Sequence, residues 1–491
     1  MTSTETDGER GVFTQGSTIR HVLVMSATGA VGLVAIFFVD LANLFYISLL
    51  GQQELAAAVG YASTVIFFSV TANVGFTIAA TAVTARAYGS RDTSAAHKNA
   101  AGSLVFTVIL NIVLAAIFYP FLGPMLDLLG ATGQTRAIAL GFMQIVVPSI
   151  PLLGLGMCTS GLLRAKGDAR RAMYVTLSSG LASAVIDPIL IFGLDLGVTG
   201  AALSVVIVRF IFVAVGFHGV WVVHSMLEWP DRHWLKRLAR PFLGIGVPAV
   251  ATAIANPVGN AYVTSVIAQF GDDAVAGWAI VGRVIPLAFA AVFSLSGSVG
   301  PILSQNYGSG LFERVNTTLR DSLVFCVSYV LVMWALLALV KNVIIIVFGA
   351  TGAAAELIDF FCLIVAGSFV FTGALFVANA AFNNLGYPML STLFNWGRAT
   401  LGTIPFVYFG IAYGPKGVLA GWGLGAIVFG AAAVVVCFQV LRRLPERAAR
   451  EGIFAAEMPA VPTAQSPFSS GRAAGVVLGT GHVQKRPPDT R

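Results

Sequence analysis

Charge is what this sequence has least of. Only 10% of its 491 residues are charged, against about 25% in an ordinary soluble domain. That leaves too little polar surface for a water-soluble fold of this size. Cysteine is scarce too. Cys158, Cys326, Cys362 and Cys437 all sit inside apolar runs, with no CxxC spacing and no histidine nearby. A disulfide framework or zinc site is thereby excluded as the organising principle, and the four read as small packing residues. There is no nucleotide-binding glycine loop and no catalytic-triad spacing, so no enzyme activity is expected. The net charge of +7 is mostly loop lysine and arginine; it sets membrane topology and carries no nucleic-acid signal.

What is present is apolar sequence, 57% of the chain. Runs of 18 or more apolar residues recur, which predicts an all-α membrane protein crossing the lipid bilayer many times. The first 20 residues are polar and lack the short apolar core of a cleaved signal peptide. The run from Val22 to Leu50 is too long for one and reads as a retained span. Spans are predicted near 22–50, 55–85, 100–122, 135–162, 171–194 and 200–226, then near 241–269, 274–304, 316–341, 356–382, 388–412 and 417–441.

The loops after spans two, four and six hold Arg86, Arg91 and Lys98, then Arg164, Lys166, Arg170 and Arg171, then Arg232, Lys236, Arg237 and Arg240. The opposite loops hold little more than Arg136, Lys341 and Lys416. Positive charge stays inside, so both termini are expected in the cytoplasm and the chain in the plasma (inner) membrane. The expected organisation is a cytoplasmic segment 1–20, a first half 21–226, a cytoplasmic linker 227–240, a second half 241–442, and a disordered cytoplasmic tail 443–491.

The chain also repeats itself. "GQQELAAAVG" at Gly51 matches "GDDAVAGWAI" at Gly271, and "AYGS" matches "NYGS" with Tyr88 and Tyr307 219 positions apart. "AKGD" faces "NLGY" at the same offset, and "IFGLDLGVTGAA" resembles "YFGIAYGPKGVLAG". Six spans per half is an even number, so the halves should be parallel repeats about an axis along the membrane normal.

Two aspartates break the apolar runs: Asp40 in "VAIFFVDLANLFYI" and Asp187 in "ASAVIDPILIFG". A carboxylate at a span's centre costs about 2.5–3.5 kcal/mol, and by default marks function. The second half carries Asn260 and Ile404 at the equivalent places. At 1.5 Å per residue, both acids lie roughly 25 Å from the cytoplasmic ends of their spans. Two such carboxylates in one pocket would favour holding a proton. Asn43, Asn73, Ser183 and Ser204 are the polar residues placed to support them, and Pro188 is a candidate hinge. Arg209 in span six is the candidate charge partner of Asp187; a tight pair would oppose proton uptake. Arg283 and Arg398 read equally well as snorkelling or as cavity-lining.

"VDLANLFYISLLGQQELAAAVG", "ARAYGSRD", "LLRAKGD", "IDPILIFGLDLGVTGAA" and "VGNAYVTSVIAQFGDDAVAG", in this order over twelve spans, resemble the multidrug and toxic compound extrusion (MATE) transporters across residues 15–445. The resemblance implies two six-helix lobes in a V shape around a cavity that alternates between faces. It implies antiport: cation-driven export of amphipathic, often cationic drugs or metabolites, with no bound cofactor or metal and a monomer as the working unit. In the DinF-like branch the coupling acids correspond to Asp40 and Asp187. The sodium-coupled NorM-like branch uses acids in spans seven and ten, where "IANPVGNAY" and "FTGALFVANAAF" have none. Protons are therefore the expected driving ion, with Na+ at the same carboxylates as the alternative. Flipping of lipid-linked or polymer intermediates, a related activity, would favour a strongly cationic cavity. A channel would need continuous polar lining, and a scaffold would not need two mid-span acids. Ser183 stands where some relatives have asparagine, and span one offers only Gly29 and Gly32 as bend points.

Overall fold

The structure, a computed structural model, describes residues 11–49 and 53–453; the side chains of 39–56 and 65 lie outside the description. In lipid the backbone must satisfy its own polar groups, and a helix does so within one segment. Accordingly, every regular element among the described residues is helical. In chain order these are α1 (Thr18–Leu49), α2 (Gln53–Gly89), α3 (Thr93–Leu128), α4 (Gly133–Val146), α5 (Ile150–Lys166) and α6 (Ala169–Pro188). There follow α7 (Gly197–Phe217), α8 (Arg232–Ile267), α9 (Asp272–Ala288), α10 (Ala290–Gly308), α11 (Phe312–Val347) and α12 (Gly352–Leu363). The last are α13 (Phe369–Asn384), α14 (Pro388–Ala399), α15 (Ile404–Gly410), α16 (Gly414–Arg442) and α17 (Leu444–Arg450).

Each predicted span finds its helix or pair of helices. Among the described residues, ten helical stretches are long and apolar enough to cross a membrane, and the bent pair α9–α10 makes eleven. One of the ten, Pro388–Arg442, has 55 residues. That is roughly 80 Å of helix at 1.5 Å per residue, enough for two crossings, and it covers predicted spans eleven and twelve.

Several helices begin earlier than hydropathy suggests, because aspartates cap them. Asp92, Asp168 and Asp231 accept the backbone N–H of Ala95, Arg171 and Trp234, satisfying donors that a helix start leaves orphaned. Capping at Asp231 turns residues 232–240 of the expected linker into the first turns of α8. Likewise, 444–450 of the expected tail form α17; residues 1–10 and 454–491 lie outside the described residues.

The bend in span eight has an identifiable cause. Pro286 has no N–H to donate into the preceding turn, and α9 and α10 meet at 48° around Phe289. Tyr329 Oη donates to the Ala288 carbonyl at this break, at 2.9 Å. Between α15 and α16, Gly410 and Gly417 let two backbones touch: a Cβ on either would lie 2.2 Å from the other's carbonyl oxygen. Small residues at such crossings are how membrane helices gain van der Waals contact.

The second half has one continuous apolar core, in which Phe289 stacks on Phe369 at 4.3 Å between centroids. The first half has two smaller ones. Helix α1 runs unbroken through Gly29 and Gly32 and serves both halves. Val22 and Met25 near its start are buried in the second half's core, and Ser298 of α10 donates to the Met25 carbonyl at 3.0 Å. Further along, Gly32 packs on Thr176 of α6, where a Cβ would meet its side chain at 3.4 Å.

Candidate functional site

Asp187 lies in the last turn of α6 and is 5% exposed. One turn earlier on the same helix, Ser183 Oγ donates to its Oδ2 at 2.6 Å. Ser204 Oγ, from α7, donates to Oδ1. Those three predicted residues form one cluster. Pro188 follows directly, and the chain widens into a π-type turn in which Leu194 N–H reaches back to the Ile189 carbonyl at 2.9 Å. Asp40 and Asn43 lie on α1 with their side chains outside the described residues.

Arg209 does not join the cluster, contrary to the pairing suggested by its sequence position. Its Nη1 donates to the Val146 carbonyl at 2.9 Å and to Ser149 Oγ at 2.6 Å. Arg209 is five residues beyond Ser204, which turns it about 140° around α7, away from Asp187. Its actual partner is the break between α4 and α5. There the Ile150 N–H closes a tight turn onto Val147 O, so Val146 O is left for the guanidinium. Asn73 is also elsewhere: it exchanges reciprocal amide bonds with Asn111 of α3, at 2.9 and 2.8 Å. Arg398 is buried and donates to Asn256. Arg283 is exposed on the wall of an apolar cavity of about 680 Å³ that Phe37, Met333 and Leu337 also line.

A second feature lies where the two halves meet. A chamber of about 200 Å³ is walled by Val74, Thr77, Ile78 and Thr81 of α2 and by Phe293, Ser296, Gly297 and Gly300 of α10. Each α10 residue is 219 positions after its α2 counterpart (74 and 293, 77 and 296, 78 and 297, 81 and 300). The chamber is thus built from equivalent surfaces of the repeat. Met157 and Arg164 of α5 and Asn384 of α13 complete it.

Beyond the chamber, on the arginine-rich side, the halves close. Backbone meets backbone where Gly89 approaches Gln305 and Gly308 approaches Arg86. Ser309 Oγ donates to Gly89 O at 2.6 Å, and Gln305 Nε2 to Ala165 O at 2.7 Å. Phe13, from a single 3₁₀ turn ahead of α1, is buried and donates its N–H to Gln305 Oε1 at 2.9 Å. Glu451, just past α17, ties the joint. It pairs with Arg86 at 3.2 Å and Arg447 at 3.0 Å and accepts from Tyr307 Oη at 2.9 Å. Arg86 also stacks over the Tyr307 ring, 4.5 Å from its centroid. Partial burial pushes the Glu451 carboxyl up. The Arg447 hydrogen bond, the Arg86 charge and the Tyr307 hydroxyl together outweigh it and hold the group below the usual glutamate range.

Sequence reasoning missed this joint and Arg164. It counted Arg86 and Arg164 as loop charges, whereas they occupy the last turns of α2 and α5. The "AYGS"/"NYGS" repeat was the available signal for the joint: both copies lie in it.

A pseudo-symmetric, all-helical membrane fold with an inter-half chamber defines a two-lobed carrier, and comparison with known proteins says which. The MatE family model matches residues 30–189 and 248–409. The chain belongs to this family, the MATE transporters. It is 27% identical to the FAD transporter of Shewanella oneidensis over 440 residues, covering 87% of this chain and 95% of that one. It is 24% identical to the multidrug export protein MepA of Staphylococcus haemolyticus over 330 residues, 66% of this chain and 71% of that one. The crystal structure of MATE in complex with MaL6 superposes with a TM-score of 0.83 at 20% identity, covering 89% of this chain and 100% of that chain.

Proposed function

We propose that the chain is an antiporter that exports amphipathic compounds across the cytoplasmic membrane, driven by protons bound at Asp187 and Asp40 of the first half. The observation that carries this is Asp187 itself: a buried carboxyl held by two hydroxyls, with Arg209 committed elsewhere. A hydroxyl can donate or accept, so the ionised and protonated forms both keep their partners. Protonation cancels the buried charge, and a group whose charge changes can bias which face a carrier presents.

Helices α1 and α6 support a shared site. Both start from the arginine-rich side, and Gly32 sits beside Thr176. Extending that register eight residues along each helix brings position 40 level with 184, about one turn short of Asp187. The halves 21–226 and 241–442 are the two bodies that rock, with both termini in the cytoplasm as positive-inside charge requires. Relatives named for FAD transport and multidrug export support a bulky organic cargo.

The test is efflux from reconstituted vesicles under proton or sodium gradients imposed separately. A proton gradient should drive wild-type export, while Asp187→Asn and Asp40→Asn insert normally and fail to respond. Export sustained by sodium alone, or a wild-type response from both variants, overturns the proton reading.

A further inference from the structure

Arg164 puts a charge on one side of the inter-half chamber that the repeat does not match on the other. Its counterpart 219 positions on (164 and 383) is Asn383, which is neutral. Arg164 lies in the last turn of α5 and crosses to the second half: its guanidinium carbon is 3.9 Å from the point where a side chain on Gly297 would begin. No carboxylate among the described residues pairs with it, and its Nε is sealed from solvent without a hydrogen-bond partner. The remaining walls pair hydroxyls, Thr77, Thr81 and Ser296, with the apolar Met157 and Phe293.

Arg164 is half-buried, and a cation withdrawn from water without an anion is disfavoured, whereas the other buried and half-buried arginines of the helices have protein acceptors. Arg209 has Val146 O and Ser149; Arg398 has Asn256; Arg86 has Glu451 and Asn384 O. Guanidinium is the side chain suited to forked bonding of phosphate or carboxylate. Thr81 donates its hydroxyl to the Thr77 carbonyl at 2.7 Å, but Ser296 in the chamber can donate to a remaining oxygen, and the apolar wall suits a ring or chain. About 200 Å³ holds the charged end of a molecule whose body extends into the cleft.

We infer that the chamber binds the anionic group, a phosphate or carboxylate, of an amphipathic cargo on Arg164, so that this carrier takes organic anions. This deepens the export reading and rests on it. It departs from the cationic cargo that the family resemblance implies.

The experiment measures equilibrium dye binding to the full chain in phosphatidylcholine nanodiscs, which requires no ion coupling. Failure here therefore leaves the proton mechanism standing, and the reverse holds too. Fluorescein (anionic) and rhodamine 6G (cationic) share a xanthene body. Fluorescein should bind at least about tenfold tighter, a difference of about 1.4 kcal/mol, and millimolar inorganic phosphate should compete it away. Arg164→Gln should remove that preference by weakening fluorescein binding, and Arg164→Lys should keep most of it. Gly297→Val, which covers the guanidinium without removing it, should act like Arg164→Gln. Equal binding of the two dyes, or equal losses for both in Arg164→Gln, overturns the assignment. So does competition by phosphatidylglycerol nanodiscs that depends on Arg164, which would give the site to a lipid headgroup.

Discussion

Gly89 and Gly308 occupy equivalent places in the two halves, and each rests on the backbone carbonyl three residues before the other. A Cβ on Gly89 would lie 2.1 Å from the Gln305 oxygen, and one on Gly308 2.2 Å from the Arg86 oxygen. The contact is reciprocal because the repeat is: 89 and 308, like 86 and 305, are 219 apart. Nothing bulkier than hydrogen fits, since the obstacle is main chain and cannot rotate away.

Gly89→Val or Gly308→Val should therefore pry this joint open. Overpacking typically costs about 1–3 kcal/mol, enough to depopulate the closed arrangement. Amide hydrogen exchange at 86–92 and 305–311 should accelerate, and efflux should fall at least about tenfold. Unchanged exchange in both variants would mean that the joint is not a closing contact.

The Asp187 cluster predicts a graded series. A hydrogen bond to a charged group is worth about 1.5–3 kcal/mol, so Ser204→Ala should lower proton-driven efflux about tenfold or more. Asp187→Asn should abolish the response to the gradient altogether. Vesicle efflux rates at matched protein insertion check both, and a Ser204→Ala rate equal to wild type removes α7 from the site.

Arg209→Met separates structure from coupling. It removes the guanidinium donor from Val146 O and Ser149 Oγ, which keep only their bond to each other at 2.8 Å, and losing a hydrogen bond to a charged group costs about 1.5–3 kcal/mol. The melting temperature should drop, while the pH profile of efflux keeps its midpoint. A moved midpoint would return Arg209 to the Asp187 site.

Glu451 makes the joint pH-sensitive. Its carboxyl titrates below its ordinary value of 4.5 in the folded protein. A depressed carboxyl stabilises fully above the unfolded value, and that contribution is lost as pH falls through the folded one. The partners are about a third exposed, so the pair contributes about 1 kcal/mol or less. Glu451→Gln should melt earlier than wild type at pH 7, and the gap should close as pH drops below 4.5. A gap that persists in acid would show that the charge on Glu451 does not hold the joint.

The helical spans and the repeat were legible in the sequence because each is local or periodic, although several helices reach beyond the apolar runs that mark them. An apolar run in lipid has to be helical whatever surrounds it, and aspartates such as Asp92 and Asp168 cap the helix they precede. The two mid-span acids were equally plain, since a carboxylate stands out against leucine and valine. Partnership was another matter. Asp187 meets Ser183 by helical spacing, which a sequence can report, but it meets Ser204 only because α7 packs on α6 in a particular rotation. The same rotation turned Arg209 toward a broken turn at Val146, and no pattern in the chain marks which carbonyl a tight turn leaves free. Arg86 and Arg164 look like ordinary positive-inside residues along the chain. Only folding brings one under Glu451, 365 residues away, and leaves the other facing a chamber without a counter-charge. Backbone chemistry in an apolar solvent thus set the helices by itself, while the azimuth and mutual approach of those helices decided which charges are paired and which remain available.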